Sequence, residues 1–132
     1  MEKSEELRSR VLAELYEAGE ENVPTLLNTI YDHAGQDGSL KKLTQALLEL
    51  LDSGLIEVAK QKSSLREWQP LPMSEAVIEI KSVPSELTYD IVAQTWRSTK
   101  RGCEASVLLT VEGRKRSEAL LSVRGYRWWR AM

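Results

Sequence analysis

The sequence predicts an α+β fold, and three observations carry that prediction. Apolar residues recur at helical spacing in three separate segments of the first half of the chain. From Gly54 onward, short runs rich in β-branched and aromatic residues are divided by polar, Gly-bearing or Pro-bearing stretches, the pattern of strands and turns. The segment from Gly113 returns to a helical pattern. The expected architecture is a three-helix core followed by a β-hairpin, extra strands and a C-terminal helix. With 132 residues and 42% hydrophobic content the chain can bury one core. Residues 1–70 are expected to form that core with its hairpin. Residues 71–132 are expected to pack their strands and helix on it as one continuous domain.

The elements follow in order. "SEELRSRVLAELYEAG" places Leu7, Val11, Leu12 and Leu15 on one stripe, has Glu5 and Glu6 at the end where the helix dipole favours acids, and is closed by Gly19. "NVPTLLNTIYDHAG" offers Asn22 as a cap, Pro24 in the first turn and Leu26, Leu27, Ile30, Tyr31 and Ala34 on a face, with Gly35 beyond. "SLKKLTQALLELLDSG" begins at Ser39 as N-cap, aligns Leu40, Leu43, Leu47, Leu50 and Leu51, and stops at Gly54 in a left-handed turn. "GLIEVA" reads as a strand, "KQKSS" as a turn and "LREWQPL" as a return strand interrupted by Pro70 and Pro72. "AVIEIKSV" and "ELTYDIVAQTW" favour strands by composition, with "SEAVIEIK" also open to a short helix. "CEASVLLTVE" reads as a strand, and "EGRKRSEALLSVRGYRWWRAM" as a helix.

Charge is distributed unevenly. Residues 1–70 hold 8 Lys and Arg against 13 Asp and Glu, and residues 71–132 hold 10 against 7, within a net charge of -2. Such asymmetry fits a nucleic-acid face or an acidic helix docked on a basic one. Cys103 is the sole cysteine and excludes an internal disulfide; no apolar run reaches the length of a membrane span, so a cytoplasmic protein is expected. His33, the sole histidine, has Asp32 and Asp37 nearby but lacks the ligand number and spacing of a zinc site. Cys103 stands beside Glu104, which disfavours a thiolate nucleophile. No phosphate loop, nucleophile elbow or acid pair appears, so neither catalysis nor a metal or cofactor is expected.

Helix, helix, "SLKKLTQALLELLDSGLIEV", a basic turn and a return strand resemble the winged helix-turn-helix domain of bacterial transcriptional regulators. "LLTVEGRKRSEALL" looks like the "LT..GR" segment that follows the wing in regulators of the MarR and PadR kind, although the segment between "GLIEV" and "LLTVEG" is longer here. The resemblance implies a recognition helix at 39–53, a wing at 60–66 and duplex DNA as partner. A recognition helix reads base edges from its N-terminal turns, where this one carries Lys41, Lys42, Thr44 and Gln45. Lys41 and Gln45, four residues apart, are suited to base edges; Lys42, Thr44, Lys60, Lys62 and Arg66 are suited to phosphates. Winged helices also serve as protein-interaction modules without DNA binding, and the acidic pI of about 5.6 fits that alternative.

Phe is absent, and Trp68, Trp96, Trp128 and Trp129 supply much of the aromatic mass. Leu120, Leu121, Tyr126, Trp128 and Trp129 form more apolar surface than one terminal helix easily places on a small core. They are the expected self-association surface of a homodimer.

Overall fold

The computed structural model describes residues 2–30, 39–61, 68–90, 92–93, 95–98 and 105–125. Its elements run α1 (Glu2–Ala18), β1 (Glu20–Glu21), α2 (Val23–Ile30), α3 (Ser39–Asp52), β2 (Ile56–Gln61), β3 (Trp68–Pro70), α4 (Met73–Glu86), β4 (Leu87–Asp90), β5 (Thr95–Ser98), β6 (Ala105–Leu109) and α5 (Val111–Arg124). The fold is α+β, with a four-stranded antiparallel sheet in the order β1-β6-β2-β3 and a separate β4-β5 pair.

Local signals place the helix ends. α1 stops at Gly19, whose φ of 86° is disfavoured for residues with a Cβ, and the Gly19 N–H donates to Leu15 O at 2.9 Å. Asn22 caps α2, its Oδ1 accepting from the Thr25 N–H at 2.9 Å. Gly54, at φ 75°, ends α3. The stripes then meet: Val11, Leu12 and Leu15 of α1, Leu26 and Ile30 of α2, and Leu43, Leu47 and Leu50 of α3 are buried together. Each such side chain contributes roughly 1.5–3 kcal/mol through its burial.

The sheet closes against this unit through β6. Glu21 pairs with Val107 and Val107 with Val58, so these three stand in one row across the sheet; Val58 and Val107 belong to the main core. β6 therefore sits between β1 and β2, interleaving the two ends of the chain in one sheet. Pro70 lies on the outer strand β3, where the missing N–H breaks no inner ladder.

Three expectations are corrected. "AVIEIKSV" belongs to the 14-residue helix α4 rather than to a strand. Ala76, Ile80 and Val83 recur at helical spacing and are the buried positions, so tertiary packing overrides the β-branched composition. Pro84 stands in the last turn, and the chain leaves the helix at Leu87 with an extended backbone. The run "ELTYDIVAQTW" is not one strand but the pair β4 and β5, with Asp90 Oδ1 accepting from the Val92 and Ala93 N–H groups at 3.0 and 3.1 Å at the turn. The two-residue strand β1 was not anticipated, because "EE" carries no strand propensity and is recruited by β6.

α5 is held by close approach rather than by a wide apolar face. Ser117 is fully buried, with Oγ 3.0 Å from Leu12 O and 2.8 Å from Gly113 O. Arg124 forks onto Glu6 at 2.6 and 3.2 Å, and Arg114 lies over the Tyr16 ring at 5.9 Å.

Candidate nucleic-acid interface

The orientation of α3 is set mainly at its C-terminal end. Thr110 N–H donates to Leu55 O at 3.1 Å, and Thr110 Oγ1 donates to Gly54 O at 2.7 Å while accepting from the Gly113 N–H at 3.0 Å. One threonine thus caps α5 and ties it to the turn that ends α3. Gly113 rests against the Leu55 carbonyl, where a Cβ would collide with the oxygen. This gives "LTVEG" a physical reading: the threonine is the cap and the glycine is the point of contact. Glu49, in the second half of α3, is ion-paired with Arg8 of α1.

The N-terminal half of α3 presents Lys41, Lys42 and Gln45 to solvent. α3 has no acid in its first turn and no base in its last; Lys41 and Lys42 stand near its start and Glu49 and Asp52 near its end. That charge order opposes the helix dipole, which favours anions at the start and cations at the end. An external anion at the N-terminal end would reverse the penalty.

Thr44 does not belong to this face. It is only 8% exposed, and its Oγ1 donates to Leu40 O at 2.7 Å, so the phosphate contact expected of it is withdrawn. Its position explains this, since it lies one turn after Leu40 and three residues before Leu47, at the edge of the buried stripe.

Lys60, near the end of β2, is exposed and meets Glu79 of α4 at 2.9 Å. Lys62 and Arg66 lie outside the described residues, as do His33 and Cys103. Of the expected self-association surface, Leu120 packs on the main core and Leu121 against buried Ala13; both are partly buried within the chain's own fold. Their share of a dimer surface is therefore corrected, because α1 already covers them. Tyr126, Trp128 and Trp129 lie outside the described residues. Among the described residues, no group of three or more His, Cys, Asp or Glu could hold a metal ion, and no helix is long and apolar enough to cross a membrane.

Two contributors escaped the sequence reading. Glu79 was missed because its segment read as a strand, although Ala76, Ile80 and Val83 already showed a helical period. Glu14 lies on the apolar stripe of α1, seven residues after Leu7 and three after Val11, and is only 3% exposed. Compared with protein-family models, curated proteins and solved structures, the chain matches none.

Proposed function

We propose that this chain is a winged-helix DNA-binding protein of the regulator type, with α3 entering the major groove and the turn 60–66 gripping the adjacent backbone. The observation that carries the reading is the reversed charge order of α3: two exposed lysines at an electropositive helix end, next to an exposed Gln45. Local rules are broken most often where function requires it, and a phosphate at this end would satisfy both the lysines and the dipole. The order of elements supports the same reading, because three helices lead into β2 and an antiparallel return strand β3. The acids of α3 stand toward its other end, and Glu49 is occupied by Arg8.

In this account Lys41 and Gln45 reach base edges, and Lys42 contacts phosphate together with Lys60, Lys62 and Arg66. No catalytic step, metal or cofactor enters. Titration of a mixed-sequence duplex at two salt concentrations tests it. Lys41→Glu/Lys42→Glu is expected to weaken binding at least tenfold, and the salt slope is expected to flatten by about 2. Gln45→Ala is expected to leave non-specific binding in place and relax sequence preference by roughly 1–3 kcal/mol. Absence of binding at low salt, or binding that ignores the double charge reversal, would leave a protein-interaction role for the same helix.

A further inference from the structure

α4 is inserted between β3 and β4, and it packs against both α3 and β2, the two elements that the DNA reading assigns to the contact face. Its buried Ala76, Ile80 and Val83 anchor it there. That anchoring carries the carboxylate of Glu79 to Lys60, with Oε1 2.9 Å from Nζ. A carboxylate fixed on a lysine that is otherwise offered to phosphate is an intramolecular competitor for the same cation.

We propose that α4 is an autoinhibitory arm, in which Glu79 occupies Lys60 in the free protein and must be displaced by a DNA phosphate before the β2 end of the contact face engages. The proposal rests on the DNA reading above and adds a regulatory step to it. The pair is suited to such exchange: the Lys60 side chain is 47% exposed and that of Glu79 32%, and a pair so open to water is weak enough for phosphate to replace. Glu79 taxes every complex alike, so it lowers affinity for any duplex and makes binding depend more on the contacts of α3.

A double-mutant cycle tests the arm, using the full chain and a fluorescent mixed-sequence duplex at two salt concentrations. Glu79→Gln is expected to tighten binding roughly threefold and to steepen the salt slope by up to about 1, because one more cation is released to phosphate. In a Lys60→Met background the same substitution is expected to give no such gain. Glu75→Gln, one turn earlier on α4 with the same charge change, controls for the general field, and thermal melts confirm that each variant is folded. Equal gains from Glu79→Gln and Glu75→Gln, or an equal gain with and without Lys60, would overturn the arm while leaving the DNA reading intact. A wild-type chain that binds no duplex at low salt would overturn both.

Discussion

Replacing Gly113 with alanine is expected to destabilise the protein by about 3 kcal/mol, lowering the melting temperature by roughly 10 °C. Gly113 is buried, and a Cβ there would overlap the backbone carbonyl oxygen of Leu55, with Leu109 Cδ2 also crowding it at 3.2 Å. A flexible side chain could swing away from such a collision; a backbone carbonyl cannot. Glycine normally costs a helix stability relative to alanine, so propensity alone predicts the opposite sign and the test is decisive. Thr110→Ala at the same junction is expected to cost less, about 1–2 kcal/mol, by removing the cap on Gly113 and the bond to Gly54 O. Thermal unfolding followed by circular dichroism compares the two. A Gly113→Ala chain as stable as the wild type would mean that α5 does not rest on Leu55.

The same junction shows what the sequence made legible. Gly19, Asn22 and Gly54 act through their own backbone or side chain within a few residues, so their roles at helix ends could be read locally. The three-helix stripe was equally legible, since Leu43, Leu47 and Leu50 repeat at a period set by helix geometry. What depends on distant partners was not. Thr44 looked like surface until the burial of its neighbours was known, and Glu79 acquires meaning only once α4 packs beside β2. "AVIEIKSV" supports both a period of two and a period near 3.6, and only the core chooses between them. Within the candidate site, Lys41, Lys42 and Gln45 stand exposed on α3 as read, whereas the partner of Lys60 required the tertiary fold.

The second large effect concerns pH and arises where α1 meets β1. Glu14 and Glu21 lie together, and Glu14 Oε1 and Glu21 Oε2 are both buried without a hydrogen-bond partner among the described residues. Burial pushes the Glu21 carboxyl up to about 8 from 4.5, and the hydrogen bond with Glu14 and the charges of Glu14, Glu20 and Glu17 push in the same direction. Two carboxyls so placed share a proton, and the pair titrates as a unit. The folded state therefore holds a proton that the unfolded chain releases near 4.5. The pair's stabilising contribution is full below that pH, falls as pH rises from about 4.5 to about 8, and changes no further above it. Between pH 5 and pH 8.5 the wild type is expected to lose on the order of 2–3 kcal/mol from this source, the part of Glu21 that remains open to solvent reducing the effect. Glu21→Gln keeps a donor toward Glu14 and has no proton to lose, so it is expected to match the wild type near pH 5 and exceed it at pH 8.5. Urea unfolding of both chains across that range measures the difference directly, because other titrating groups cancel in the comparison. Parallel stability profiles for the two chains would show that Glu14 and Glu21 do not share a proton in the folded state.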